Sequence, residues 1–290
     1  MKIAITGVGG LLGSTLHQNL SQNSIDVLKL NRDCVTAMAI DSLCQYFSSQ
    51  NISVLIHCAA NTNVEVCEED RLACYRDNIV LTEKLASACK INLIKFVFIS
   101  STGIYGNHQD LPYCEYDDVI PTTVHHKSKY IAEKRLAEVL DDLLIIRTGW
   151  LFGGEWNMSK NFVANRIKEA MRFNGSIHSD ISQKGNPTFV GDVSDKIYEL
   201  IKLNQTGTFN CVNEGVATRF EYVREVIRLS GLDVAVLPVD GTNFKRKASV
   251  SHNESAINFK LSEFGLGEMP YWKHSLATYI NTIRLEYEKN

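Results

Sequence analysis

The chain has 290 residues, of which 44% are hydrophobic and 22% charged, with a formal net charge of -3. This is the profile of a globular protein with a full core, large enough for one α/β domain and a smaller annex. The balanced charge, without a basic run or an acidic tail, argues against nucleic acid or an anionic membrane as a partner.

The first residues, Met1 to Thr6, are predicted to enter a strand at once, without a basic leader or a cleavage site. No later stretch has the roughly 18 uninterrupted apolar residues of a membrane helix. We therefore expect a cytoplasmic protein. Its eight cysteines form no Cys-x-x-Cys pair, as is typical of reduced thiols, and we expect no metal site.

A glycine-rich turn follows the first strand and precedes the first helix. Its spacing is Gly7-x-x-Gly10-x-x-Gly13, which suits a dinucleotide: the first glycine permits a tight turn, the second a close approach of the pyrophosphate, and the third close packing of helix on sheet. Leu11 and Leu12 open the helix whose N-terminus would meet the phosphates. We expect these residues to bind a nicotinamide cofactor.

The end of the second strand predicts the type of cofactor. An NAD-selective site usually has a carboxylate here for the ribose 2′-hydroxyl, whereas this chain has Asn31 and Arg32. A guanidinium could bind a 2′-phosphate. We therefore expect NADP, with NAD as the alternative if Arg32 is only a solvated loop residue.

Further buried strands end in small or polar residues. Residues 54–60 form a strand that ends in Cys58-Ala59-Ala60 and is followed by Thr62, and residues 96–99 lead into Ser101 and Thr102. Asn78 lies on a long helical segment predicted for residues 68–90. Strands and helices alternate as far as residue 147, which predicts an α/β fold with a doubly wound parallel sheet.

The pattern changes beyond Trp150, where strands become short and are scattered among Gly and Asn. We predict a cofactor-binding domain in residues 1–150, to which the chain returns around residues 187–212. Residues 151–290 would form mainly a smaller α/β annex that closes a substrate cleft over the strand ends.

With these elements placed, the chain resembles the extended short-chain dehydrogenase/reductase family, and within it the dTDP-4-dehydrorhamnose reductase branch. The resemblance covers most of the chain. It is carried by the glycine turn, by Ser100-Ser101-Thr102-Gly103-Ile104-Tyr105-Gly106, by residues 121–133, by Arg147-Thr148-Gly149-Trp150 and by Gln183-x-Gly185-x-Pro187-Thr188. It implies a Rossmann domain and an NAD(P)H-dependent reductase of a nucleotide-linked 4-keto-6-deoxy sugar.

The family's site uses a Ser or Thr, a Tyr and a Lys, the last two spaced Tyr-x-x-x-Lys on one helix. Ser101 and Lys129 match the first and last of these, but His125 stands at the tyrosine position. Tyr130 and Lys134 repeat the spacing five residues later, a rotation of about 140° around a helix, and would face away from the site.

A histidine changes the expected chemistry. Its ordinary pKa near 6.5 makes it an adequate acid at neutral pH, but the nearby Lys129 ammonium disfavours its protonated form. Imidazole is also shorter than phenol. The proton for the ketone oxygen would therefore come from His125 or from a water that it holds, while Ser101 polarises the carbonyl and Lys129 holds the nicotinamide ribose.

The resemblance also implies residues on the substrate side. The branch has an Arg-Pro step where this chain has residues 250–255, so a diphosphate-binding cation would have to come from elsewhere, with Lys245 and Arg246 as candidates. The other substrate-binding candidates are Thr102, Trp150, Asn161, Gln183 and Thr188.

Two alternatives to the reductase remain open. The chain could be another nucleotide-sugar epimerase or dehydrogenase in which a different residue supplies the proton. It could also be a cofactor-binding regulatory or structural subunit with impaired catalysis. The expected partners are a nucleotide-sugar substrate and a second copy of the chain in a homodimer.

Overall fold

The computed structural model describes residues 1–173, 175–243 and 245–288. Its strands are β1 (Lys2–Thr6), β2 (Asp26–Leu30), β3 (Val54–His57), β4 (Lys95–Ser101), β5 (Leu143–Thr148), β6 (Leu151–Phe152), β7 (Ser176–Asp180), β8 (Lys184–Gly185), β9 (Thr188–Phe189), β10 (Gly207–Asn210), β11 (Ala217–Thr218) and β12 (Ala235–Val239).

The α-helices are α1 (Leu11–Gln22), α2 (Arg32–Ala37), α3 (Ile40–Gln50), α4 (Val64–Glu69), α5 (Arg71–Tyr75), α6 (Leu81–Ile91), α7 (Val124–Val139), α8 (Phe162–Arg172), α9 (Val190–Lys202), α10 (Arg219–Ser230), α11 (Phe259–Glu263) and α12 (Trp272–Glu288). A π-helical turn, Arg76–Val80, lies between α5 and α6, and 3₁₀ turns span Thr102–Ile104 and Gly241–Asn243.

A parallel sheet forms the centre of the molecule, in the strand order β10-β5-β4-β3-β1-β2. Side chains of successive residues point to opposite faces of a strand, and both faces of this sheet are buried. Ile3 and Ile5 pack with α1 and α9, whereas Ala4 packs on the other face with α3, α6 and α7. The predicted doubly wound α/β fold is confirmed.

The helical segment predicted for residues 68–90 is interrupted in the structure. The Asp70 side chain accepts a hydrogen bond from the Ala73 main-chain N–H, so one short helix ends and another begins there. The π-helical turn then carries Asn78 inward, where it is 1% exposed. Such turns insert an extra residue and are frequent at functional sites.

Residues beyond Trp150 have a hydrophobic core of their own, in which Phe152, Tyr222 and Trp272 are fully buried. Short strands pair there as β6 with β9, β7 with β12 and β8 with β11. The chain also returns to the large sheet, since α9 packs against α1 and β10 extends the sheet beside β5. In the described residues, no helix is both long and apolar enough to cross a membrane.

Candidate active site

The glycine turn approaches the neighbouring strand end closely. Gly7 has φ +71°, and a Cβ there would lie 2.6 Å from the Ala59 main-chain nitrogen. A Cβ on Gly13 would lie 2.2 Å from the Gly7 oxygen. Gly10 precedes α1 and provides no side-chain cap, so the first N–H groups of this helix remain able to bind an anion.

A cleft of about 800 Å³ lies between this turn and the loops that follow β4 and β5. Its volume falls in the range of ligand sites. Of the residues selected from the sequence, the structure places these in its wall: Gly7, Gly10, Leu11, Leu12, Gly13, Arg32, Cys58, Ala59, Ala60, Thr62, Ser101, His125, Lys129 and Trp150.

The remaining selected residues do not line this cleft. The Asn31 side chain accepts a hydrogen bond from the Asp33 main-chain N–H and caps α2. Thr102 is buried against the backbone of Gly149, where a Cβ would lie 2.3 Å from its Oγ1. Asn78 lies behind His125.

The annex residues are also placed away from the wall. Asn161 caps α8 by accepting from the Ala164 main-chain N–H, and Thr188 donates to the Asn186 carbonyl. These two side chains therefore stabilise local backbone. Gln183 is buried, and Lys245 and Arg246 are exposed on a loop; Arg246 donates to Gln183 Oε1 at 3.4 Å.

Arg32 begins α2 and is half exposed at one end of the cleft. Its guanidinium pairs with the Asp77 carboxylate. This ion pair holds the guanidinium beside the cleft without burying it. A second anion could therefore bind to its free N–H groups.

Ser101 lies at the end of β4, and its hydroxyl oxygen accepts a hydrogen bond from the Gly103 main-chain N–H at 3.2 Å. The hydroxyl proton remains able to donate into the cleft. Two other hydroxyls of the wall, Ser100 Oγ and Thr148 Oγ1, have no hydrogen-bond partner among the described residues. A ligand with polar groups would compensate such buried atoms.

Helix α7 presents two candidate catalytic side chains on one face. His125 and Lys129 are one turn apart, 6% and 4% exposed, and both line the cleft. Tyr130 and Lys134 lie on another face, where the Lys134 ammonium packs 4.6 Å from the centre of the Tyr130 ring. The structure therefore turns Lys129, and not Lys134, towards the cleft.

The hydrogen bonding of His125 defines which nitrogen carries its proton. Nδ1 lies 2.8 Å from the main-chain oxygen of Asn61, and a carbonyl oxygen can only accept, so Nδ1 carries the hydrogen. Burial, followed by the charges of His126 and Lys129, holds the pKa of His125 well below its usual value. The imidazole is therefore neutral at pH 7, and Nε2 presents a lone pair.

Asn78 fixes the Asn61 carbonyl. Its Oδ1 accepts from the Asn61 main-chain N–H at 2.7 Å, while its Nδ2 donates to the Asn61 oxygen at 3.0 Å and to Ser128 Oγ at 2.9 Å. Ser128 in turn donates to the His125 carbonyl. Asn61 and Ser128 were not selected from the sequence. Asn61 acts through its main-chain carbonyl, which leaves no signal in residue identity, and Ser128 acts through a contact with Asn78 on a distant segment.

A buried chain of hydrogen bonds links this network to the glycine turn. Thr82 Oγ1 donates to the Asn78 carbonyl and therefore accepts from His57 Nε2 at 3.0 Å. His57 Nδ1 must then accept from Thr6 Oγ1 at 2.8 Å. Burial, followed by the charge of Lys129, lowers the pKa of His57 to about 3, which keeps this imidazole neutral. His57 thus serves the core.

Lys129 is a buried ammonium above the Phe98 ring, with Nζ 3.9 Å from the ring centre. Burial lowers its pKa to about 8, against the raising effect of the Glu133 carboxylate. Lys129 remains mostly charged at neutral pH. It is therefore an acid and a cation at the same cleft as Ser101 and His125.

Lys160 is a further cleft residue that was not selected from the sequence. Its ammonium donates to Thr62 Oγ1 at 2.7 Å, so the loop before α8 reaches across to the segment after β3. The only sequence signal for Lys160 was its position next to Asn161, which had been selected.

Among the described residues, no group of three His, Cys, Asp or Glu side chains could hold a metal ion.

Comparison with solved structures shows close similarity over the whole fold. A dTDP-4-dehydrorhamnose reductase of Clostridium acetobutylicum superimposes with a TM-score of 0.92 and 28% identity, covering 98% of this chain and 100% of that one. The enzyme of that name from Bacillus anthracis, solved in complex with NADP, gives a TM-score of 0.91 and 27% identity, covering 97% and 99%.

Sequence comparison points the same way. The dTDP-4-dehydrorhamnose reductase of Mycobacterium tuberculosis is 28% identical over 286 residues, which cover 96% of this chain and 91% of the relative. A family model described as RmlD substrate binding domain matches residues 1–285. The chain therefore belongs to the RmlD substrate binding domain family.

Proposed function

We propose that this protein is an NADPH-dependent reductase of nucleotide-linked 4-keto-6-deoxy sugars, which converts the ketone at sugar carbon 4 to an alcohol. The observation that carries this proposal is that Ser101, His125 and Lys129 meet in one cleft with the glycine turn. The names of the relatives, and the NADP bound by the Bacillus anthracis enzyme, support the same substrate class and cofactor.

The cofactor half of the cleft fits a dinucleotide phosphate. The uncapped start of α1 and the close contact at Gly13 leave room and N–H groups for a pyrophosphate. Arg32 supplies a cation for the 2′-phosphate, and Ala59 and Ala60 let a cofactor pass near the backbone. We assign residues 1–150, with the return at 187–212, to cofactor binding and residues 151–290 mainly to the substrate.

The protein's own residues polarise the ketone. Bound NADPH supplies the hydride for carbon 4. The Ser101 hydroxyl donates a hydrogen bond to the ketone oxygen, while its own oxygen accepts from the Gly103 main-chain N–H. Lys129 provides positive charge where negative charge develops on that oxygen, and it also holds the nicotinamide ribose.

The proton reaches the oxygen through a water molecule held by His125. A neutral imidazole whose Nδ1–H is committed to Asn61 has no proton on Nε2 to give. Its Nε2 lone pair instead accepts one O–H of a water, and the other O–H points to the ketone oxygen. After that proton is transferred, the Lys129 ammonium restores it to the water, and solvent reprotonates the lysine.

Two of the substrate-binding candidates from the sequence remain in this proposal. Trp150 lines the wall and is fixed by its indole N–H, which donates to Glu254 Oε2 at 2.9 Å. Gln183 is buried in the annex and does not itself line the cleft. Asn161 and Thr188 act at most through the local backbone that their side chains stabilise.

A substrate panel tests the proposal. Purified protein is mixed with NADPH and nucleotide-linked 4-keto-6-deoxy sugars that differ in nucleotide and sugar, and the oxidation of NADPH is followed. We expect NADPH to be oxidised with at least one ketosugar. When the corresponding reduced sugar is added in place of that ketosugar, NADPH should not be oxidised. Tight NADPH binding without turnover of any member would favour a cofactor-binding subunit.

A further inference from the structure

The side chain of Arg219 packs flat beside the cleft wall. Its guanidinium carbon lies 3.4 Å from the centre of the Trp150 ring and 5.3 Å from that of Phe162. Arg219 is the first residue of α10, and its main-chain N–H donates to the Gln183 carbonyl. One residue thus joins the tryptophan of the cleft to the buried glutamine of the annex.

The Arg219 guanidinium has no hydrogen bond or ion pair within the described ranges, and the residue is half-buried. Desolvation lowers its pKa to about 10. It remains charged at neutral pH. Two carboxylates face it, and their charges favour its protonated form: Glu254, which accepts from the Trp150 indole, and Asp180, which accepts from the Ser182 main-chain N–H and hydroxyl.

A second guanidinium lies close to the first. The charge of Arg246 opposes protonation of Arg219, and Arg246 donates to the Gln183 side chain. Gln183 therefore holds two like charges near each other, one through its backbone and one through its side chain. An anion bound between them would reduce the repulsion between these two guanidinium groups.

The stack on Trp150 covers one face of the guanidinium and contributes a cation–aromatic attraction. The residue is only half-buried, and its nitrogens are not among the buried atoms that lack a partner, so its N–H groups stay open to solvent and to a ligand. The planar fork of Arg matches phosphate oxygens and lies well on an aromatic face. The open N–H groups of Arg219 therefore suit an anion of phosphate chemistry on the substrate side.

We propose that Arg219, with Arg246 beside it, binds the diphosphate of the nucleotide-sugar substrate, and that Trp150 orients the guanidinium for that contact. This inference rests on the proposed function, because it assigns the diphosphate end of the same substrate. It places the diphosphate at the Trp150–Gln183 side of the cleft, opposite the cofactor pyrophosphate at Gly10.

Calorimetric titration tests this with substrate fragments. Thymidine, uridine, guanosine and cytidine diphosphates are titrated into NADPH-loaded wild type and into Arg219→Met, which keeps the length and apolar contact but removes the charge. Loss of a charge-assisted contact should weaken diphosphate binding by about 10- to 100-fold. Affinity for the parent nucleoside and for NADPH should stay within about twofold.

Arg224→Met is the matched control, since Arg224 lies on the same helix, is exposed and packs on Phe220. It should bind like wild type. Arg219→Lys, which retains the charge, should recover part of the affinity, and Arg219→Gln, which also removes the charge, decides the question if the Met variant does not fold. Equal diphosphate affinity in wild type and a folded variant that lacks the charge would overturn this inference but leave ketone reduction standing. Failure of wild type to bind any of the four diphosphates would overturn both proposals.

Discussion

The Nδ1 atom of His125 lies 2.8 Å from the main-chain oxygen of Asn61, so the ring enters the cleft with its other nitrogen unprotonated. The carbonyl is itself clamped by Asn78. Nitrogen-15 NMR of histidine-labelled protein at pH 7 should therefore show a neutral His125 with the proton on Nδ1. A protonated ring, or the opposite tautomer, would exclude the water-relay mechanism.

The pH dependence of ketone reduction should follow Lys129 rather than His125. Because the pKa of His125 is far below 6.5 and that of Lys129 is about 8, kcat/KM should be flat around pH 6–7. It should fall above pH 8, where the ammonium is lost, or somewhat higher if cofactor phosphates raise that pKa. A rate that rises steadily as the pH drops from 7 to 6 would instead identify protonated His125 as the acid.

Replacing His125 by Phe removes the acceptor that holds the water. Ketone reduction should fall by about 10²- to 10⁴-fold, the usual effect of losing an acid-base group, while the Kd for NADPH changes by only a few-fold. Steady-state rates and fluorescence titration measure the two. Tyr130→Phe serves as control and should leave both unchanged; equal slow turnover by His125→Phe and wild type would remove the catalytic role.

Arg32 should discriminate between the two nicotinamide cofactors. In Arg32→Ala, the affinity for NADPH should fall by about 10-fold or more, because a charge-assisted contact to the 2′-phosphate is lost, while NADH affinity stays nearly constant. Lys29→Ala is the control, because Lys29 is exposed on β2 and does not line the cofactor cleft. Equal affinity of wild type for NADPH and NADH would contradict the assignment.

The buried Lys129 ammonium should lower the free energy of unfolding of the cofactor-free protein. Its pKa falls from 10.5, the ordinary value of a lysine side chain in water, to about 8 in the fold, so the unfolded state binds the proton more tightly. This loss of stability is fully present below pH 8 and disappears as the pH rises towards 10.5. Lys129→Met should therefore raise the free energy of unfolding at pH 7 by about 1–2 kcal/mol while abolishing ketone reduction.

Urea unfolding at pH 7 and pH 10 checks this linkage. The advantage of Lys129→Met over wild type should be smaller at pH 10. Lys134→Met, whose side chain is exposed, should match wild type at both values. A Met variant that is less stable than wild type at pH 7 would mean that the ammonium is stabilised by its surroundings.

The parts of the site that depend on local spacing could be predicted from the sequence. Gly7, Gly10 and Gly13 lie within one strand–turn–helix unit, and one helical turn fixes His125 relative to Lys129. The alternation of strands and helices likewise predicted the parallel sheet. Each of these features follows from the period of a single element.

The features of the site that could not be predicted from the sequence depend on contacts between distant segments of the chain. The tautomer of His125 is set by a backbone carbonyl of Asn61, 64 positions away, and the stack of Arg219 on Trp150 joins two distant segments of the chain. For Asn161 and Thr188, the residue type predicted a role that the folded structure does not support. Their residue types suit substrate binding, but the folded chain uses both side chains to satisfy nearby backbone.

Transfer of deuterium from NADPH that carries two deuterium atoms at the reactive carbon of the nicotinamide ring tests the central claim most directly. After reaction with a ketosugar that is turned over, mass spectrometry and NMR of the product should place deuterium on carbon 4 of the sugar. Consumption of the ketosugar with no deuterium at carbon 4, or no reaction with any 4-keto sugar despite bound NADPH, would contradict the account.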